Sequence, residues 1–278
     1  MSKHLIKPQT VKIDVSGHKV KLLILRPEPE SGNAPGVLWL HGGGYQSGSA
    51  KDVFATRALA LSVKYGAVLI APNYRLSGKA PYPAAIADGY AALLYVKEHA
   101  EELGIRSDQI MVGGESAGGG LAAALCMLAR DRGEVNIAYQ MPIYPMLDDR
   151  DTPSSRDNRA PNWNTKKNRK AWKRYLRGAY GTGFVSCYAA PARCTDYRGL
   201  PPAYTFVGDI EPFYDETLTY IRNLKDAGIE AEVDVYHNWF HAYDIFFPAK
   251  PIVREAVERF EKHFEYAAAH YYAPQKEV

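Results

Sequence analysis

The serine of Gly114-Glu115-Ser116-Ala117-Gly118 has the clearest potential for chemistry in this chain. A serine hydroxyl is a weak nucleophile until a base and a strained, exposed turn activate it. The pentapeptide fits G-x-S-x-G. It follows the apolar run 109–113 and opens a helical stretch, 117–130. That context predicts a sharp strand-to-helix turn with Ser116 at its apex. Glycines two residues to either side let strand and helix pass close to the turn. A glycine-rich turn with an N-capping serine is the non-catalytic alternative; the rest of the chain weighs against it.

His41-Gly42-Gly43-Gly44 directly follows the apolar run 36–40. Three consecutive glycines leave backbone N–H groups unshielded, and such a loop suits the oxyanion of a tetrahedral intermediate. His41 itself reads as a structural hydrogen-bonding residue, because a base on this loop would face the wrong side of the nucleophile. A serine site of this layout needs an acid and then a histidine, in that order, after the serine. Two acids compete, Asp209 and Glu211, both just beyond the apolar run 203–207. For the base, His241 follows the last expected strand, and His237 at the end of that strand is its competitor. His4, His18, His99, His263 and His270 fall in termini, a turn or helix faces and read as surface residues.

These residues need a frame. Alternation over 10–15, then Ser16-Gly17-His18, then the apolar run 20–25 predicts an antiparallel hairpin. Short apolar runs at 36–40, 67–70, 109–113, 135–143, 203–207 and 231–236 predict strands. Helical stretches are expected at 52–64, 84–98, 117–130, 213–227 and 252–268. The alternation implies a mostly parallel, doubly wound α/β sheet with an antiparallel start. Residues 148–199 interrupt the rhythm with a polar, basic and aromatic segment, read as an inserted cap on a single domain spanning 1–278.

At these motifs the chain resembles the hormone-sensitive-lipase-like branch of the α/β-hydrolases, the bacterial acetyl esterase and carboxylesterase group. The resemblance rests on the two glycine motifs, Tyr144-Pro145-Met146-Leu147-Asp148, Glu211-Pro212-Phe213-Tyr214-Asp215-Glu216 and Phe240-His241. Tyr74-Arg75-Leu76, Pro81-Tyr82-Pro83-Ala84-Ala85 and Asp88 also fit it, and it runs from about residue 36 to 268. It implies the α/β-hydrolase fold with a small helical cap. The family's motif after the strand is Asp-Pro-Leu-x-Asp-Glu, so its acid falls on Glu211, with Glu in place of the usual Asp and Asp209 as the alternative. The resemblance further implies Gly43, Gly44 and Ala117 as oxyanion donors, Tyr45 as a pocket residue, and structural roles for Asp88 and Asp148.

The implied reaction is ester cleavage through an acyl-enzyme on Ser116, without metal or cofactor, on a small-molecule ester. A compact cap suggests short acyl groups, acetyl to hexanoyl, with Trp163 and Trp172 as candidate substrate contacts beside an equal prospect of plain packing. An amidase, carbamate hydrolase or peptidase would use the same triad, and a non-catalytic binding protein is the alternative of another class. Gly118-Gly119-Gly120-Leu121-Ala122-Ala123 imitates a dinucleotide motif, but its glycines fall inside a helix.

Composition sets the outer bounds. The chain has 278 residues, 46% hydrophobic, and a net charge of +3, too small to imply nucleic-acid binding. The charge is uneven: between Arg150 and Arg177 ten Lys or Arg meet two acids, which leaves the segment at +8. A solvated surface insertion, a subunit contact or attraction of anionic substrates would each account for it. No apolar run reaches a membrane-spanning length, and residues 1–10 lack the apolar core of a secretory signal. Three cysteines without C-x-x-C spacing exclude a disulfide framework and argue against structural zinc. A cytoplasmic location is therefore expected. The aromatic C-terminus offers either a homodimer contact or packing for the last helix.

Overall fold

The computed structural model describes residues 4–28 and 32–276. Strands β1 (Leu5–Val15) and β2 (His18–Glu28) form the expected hairpin. Its turn residues Ser16 and Gly17 both have positive φ, the conformation a two-residue turn needs to match strand twist. Both arms outrun the expectation, because pairing continues from Val15 opposite His18 to Leu5 opposite Glu28. The sheet goes on through β3 (Ala34–Leu40), β4 (Val68–Pro72), β5 (Ile105–Glu115), β6 (Tyr139–Ile143), β7 (Ala203–Gly208) and β8 (Ala231–Tyr236). Spatially the order is β1-β2-β4-β3-β5-β6-β7-β8. The β1–β2 and β2–β4 pairs are antiparallel, and every pair from β4 onward across the sheet is parallel.

The helices are α1 (Ala58–Tyr65), α2 (Ala84–Glu98), α3 (Ala100–Leu103), α4 (Ala117–Arg132), α5 (Pro153–Arg156), α6 (Thr165–Leu176), α7 (Tyr214–Asp226), α8 (Tyr243–Phe246) and α9 (Pro251–His270). They cover both faces of the sheet, which bears out the doubly wound expectation. β3 shows how the faces divide. Leu38 and Leu40 join the apolar layer containing residues of α2, α4 and α7, while Val37 and Trp39 join the layer containing residues of α1 and α9. A strand buried on both sides has no polar face, so its sequence reads as one continuous apolar run. Residues 148–199 contribute α5 and α6 and no strand. Among the described residues, no helix is long and apolar enough to cross a membrane.

Two expected elements change. The helix foreseen over 52–64 is a short 3-10 helix, Ala50–Ala55, followed by α1; Thr56 between them is extended. This break lets the next residue, Arg57, turn into the interior. The strand foreseen over 135–143 is β6 alone. Asn136 is drawn away to the C-terminal segment, its N–H donating to Gln275 Oε1 (2.9 Å) and its amide to the Pro274 carbonyl. Ladder pairing then starts at Tyr139 opposite Met111.

Candidate active site

Ser116 sits between the end of β5 and the start of α4, with φ 58° and ψ −119°. A non-glycine residue holds this strained conformation only when its surroundings fix it. Here the Ser116 N–H donates to the Ile143 carbonyl at 3.0 Å, and its carbonyl accepts from Met146 N–H at 2.9 Å. The flanking glycines have a steric reason. A Cβ on Gly118 would collide with the Leu40 and His41 carbonyls, and one on Gly114 would meet Leu40 and Gly118 backbone. Helix α4 can therefore approach the end of β3 only with glycine at these positions, and that approach carries Ser116 to the His41–Gly44 loop.

His241 lies in the loop after β8 and is buried. Its Nε2 is 2.9 Å from Ser116 Oγ, and its Nδ1 makes a very short contact with Glu211 Oε2. With the ring proton on Nδ1, Nδ1 donates to the carboxylate and Nε2 accepts the serine hydroxyl. The other carboxylate oxygen of Glu211 accepts the Gly208 N–H at 3.0 Å, which fixes the group at the end of β7. Asp209 is turned elsewhere: it accepts from Asn238 N–H (2.7 Å) and lies 3.0 Å from Nδ1 of the exposed His237. The rings of Phe213 and Tyr144 stand edge-on to His241, with centroids at 4.8 and 4.9 Å. Asn162 reaches over from the 148–199 segment and donates to the His241 carbonyl at 3.0 Å.

A cavity of about 430 Å³ opens onto Ser116 and His241. The loop Gly42-Gly43-Gly44 forms one wall, and Trp163, Ile245 and Phe246 supply apolar surface. Among the described residues, the N–H groups of Gly43 and Gly44 donate to no backbone acceptor. The Ala117 N–H belongs to the first turn of α4, where helix donors lack an intrahelical partner. His41 does not face this cavity. It stacks on Tyr74 at 4.0 Å, and burial pushes its pKa below the usual imidazole value.

Of the three residues expected to contact substrate, Trp163 lines the cavity, with Gly44 against its ring edge. Tyr45 and Trp172 do not. Tyr45 points into the core and stacks on Tyr175 at 3.9 Å, and Trp172 packs beside both. The cause is the positive φ of Tyr45, which turns the ring under the glycine loop, where its hydroxyl abuts Gly120. Asp88 holds Arg75 through its side chain and backbone N–H, and Asp148 holds Arg150.

One family model matches residues 37–245 of this chain, that of the alpha/beta hydrolase fold. The chain belongs to the α/β-hydrolase family. The resemblance read from the motifs is thereby borne out. This α/β-hydrolase is 34% identical over 232 residues to esterase LipI of Mycobacterium tuberculosis, covering 83% of this chain and 72% of that one. It is 34% identical over 233 residues to carboxylesterase NlhH of the same species, covering 82% and 72%. Among solved structures it is similar to a bacterial heroin esterase, with TM-score 0.90, 33% identity, and coverage of 95% of this chain and 84% of the other. Esterase LipW of Mycobacterium marinum follows at TM-score 0.87, 29% identity, and coverage of 94% and 82%.

The hydrolase also contains a buried ionic node that motif reading passed over. Arg57 is almost fully enclosed and pairs with Asp244, three residues after His241. It also lies 3.4 Å from Glu115 Oε1, next to Ser116, and donates to Tyr144 Oη at 3.0 Å. Glu115 further accepts from Trp39 Nε1 at 2.9 Å. Burial pushes the Glu115 carboxyl upward, and Arg57 partly offsets this. One guanidinium thus touches the nucleophile turn, the histidine loop and a ring against the histidine. The available signal was a lone cation in the apolar stretch 53–63.

Proposed function

We propose that this chain is a serine esterase in which Ser116 is the nucleophile, His241 the general base and Glu211 the carboxylate that orients it. The contact chain from Glu211 through His241 to the Ser116 hydroxyl carries the reading. The chain hydrolyses carboxylic esters. His241 takes the Ser116 proton as the hydroxyl attacks the ester carbonyl, and the N–H groups of Gly43, Gly44 and Ala117 hold the oxyanion. His241 then gives the proton to the leaving alcohol. Water, activated by the same imidazole, cleaves the acyl-enzyme and regenerates the serine. Glu211 keeps the proton on Nδ1, so that Nε2 remains a base.

Residues 148–199 act as the cap, and Trp163 is the substrate contact they supply. The preferred acyl groups are short, acetyl to hexanoyl. A cavity of about 430 Å³ supports this, since it lies toward the small end of ligand pockets. Three free thiols, Cys126, Cys187 and Cys194, support a reducing cytoplasm as the working compartment. The reading is tested with a p-nitrophenyl ester series from acetate to palmitate, comparing wild type with Ser116→Ala. Turnover falling steeply beyond hexanoate, and dropping at least about a thousandfold in the variant, is expected. Palmitate cleaved faster than acetate would refute the short-chain assignment, and an active Ser116→Ala would refute the nucleophile.

A further inference from the structure

The basic cap segment has a shape that the esterase reading alone does not use. Helix α6 buries Ala171, Trp172 and Tyr175 and exposes Lys166, Lys170, Lys173 and Arg174. These four fall at i, i+4, i+7 and i+8, one stripe about 12 Å long at ~1.5 Å per residue. With Arg156 and Arg159 they frame an open groove of about 1130 Å³, whose lining holds one acid, Asp157. Among the described residues, none of these six cations makes an ion pair. Their neighbours do: Arg169 pairs with Asp151 and Arg150 with Asp148. Like charges four apart on a helix repel, so the stripe is a surface that an added anion stabilises.

The groove and the active-site cavity are separate hollows that meet at the start of α6. Lys166 lines the groove, and Lys167, the next residue, lines the cavity over Ser116. A polymer with one ester at Ser116 has only to pass the first turn of α6 to reach the stripe. Resting on the esterase reading above, we propose that the natural substrates include O-acyl esters on an acidic polysaccharide, whose uronate carboxylates lie along the basic groove. Every residue lining the groove is polar. It offers no aromatic platform for stacking bases and no apolar side chain to enter a bilayer. A uronate chain supplies what both places need, repeated carboxylates for the cations and esterified hydroxyls for the serine. In the reaction the acyl C–O bond to the sugar oxygen breaks and His241 returns its proton to that oxygen. Water then supplies the hydroxyl of the released acid.

The experiment measures initial rates on acetylated polygalacturonate, on neutral acetylated xylan and on p-nitrophenyl acetate. It is run at low and high salt, for wild type and for the exposed triple variant Lys166→Gln, Lys170→Gln, Lys173→Gln. At low salt, KM for the polyuronate rises about tenfold in the variant, as expected for three exposed charge contacts. High salt raises the wild-type value similarly. Rates on xylan and p-nitrophenyl acetate stay within about twofold. Equal, salt-insensitive KM values for the two polymers would overturn the proposal. So would salt-dependent binding of DNA or anionic phosphatidylserine vesicles, lost in the variant, with the polyuronate left uncut. Turnover of p-nitrophenyl acetate separates the failures. If it persists while the polyuronate is refused, only the substrate class falls. If both are refused, the esterase reading falls with it.

Discussion

At the scale of single residues, two carboxylates stand two positions apart and do different things. Glu211 is enclosed and touches His241, while Asp209 pairs with exposed His237. Replacing Glu211 with Gln preserves shape but favours the wrong imidazole tautomer, and kcat should fall about ten-thousandfold. Asp209→Asn should stay within about threefold, since its amide oxygen still accepts from Asn238 N–H and only the exposed pair with His237 loses its charge; steady-state kinetics on p-nitrophenyl butyrate compares the two. The reaction also needs Nε2 of His241 free to accept the Ser116 proton. His41 contributes to stability rather than to rate. Burial lowers its pKa, so below the usual imidazole value of 6.5 the unfolded chain binds this proton more readily than the folded one. Its contribution is complete above that value and is lost as pH falls below it. Melting temperatures from pH 8 to 5 should therefore fall less steeply in His41→Gln than in wild type.

At the scale of elements, position comes from close approach and from one buried cation. Gly118→Ala forces α4 away from the Leu40 and His41 carbonyls. It should lower the unfolding free energy by about 1–3 kcal/mol, with a larger loss of kcat than of substrate binding, read by thermal melting and steady-state kinetics. Arg57→Met leaves the Asp244 carboxylate enclosed without its partner. That should destabilise the fold by about 3–5 kcal/mol, and Arg57→Met with Asp244→Leu should recover part of it; denaturant titration of the single and double variants checks this. The strands and helices that set these contacts were largely legible in the sequence, because doubly buried strands read as apolar runs and glycine punctuates the turns. The exceptions have local causes. Thr56 splits the helix foreseen at 52–64, and Asn136 leaves the ladder for the C-terminal segment. Neither Arg57's partners nor the inward turn of Tyr45 has a local signature, since both depend on residues distant in the chain.

At the scale of the whole molecule, an eight-stranded sheet brings positions 41–44, 116, 211 and 241 to one end, where Asn162, Trp163 and Lys167 of the 148–199 segment line the cavity. Their order along the chain was readable because each follows a strand. The contribution of 148–199 was not, since a polar and aromatic stretch gives no direction to its side chains. Trp163 reaches the cavity while Trp172, nine residues on, is buried beside Tyr175. The mechanism places a covalent acyl group on Ser116, which is detected by mixing enzyme with excess p-nitrophenyl acetate, quenching in acid during the first turnovers and mapping peptides by mass spectrometry. An acetyl mass on the peptide containing Ser116, absent in Ser116→Ala and accumulating when Glu211→Gln slows deacylation, is the predicted result. Ester turnover with no acyl adduct on that peptide, and equal turnover by Ser116→Ala, would rule out Ser116 as the nucleophile.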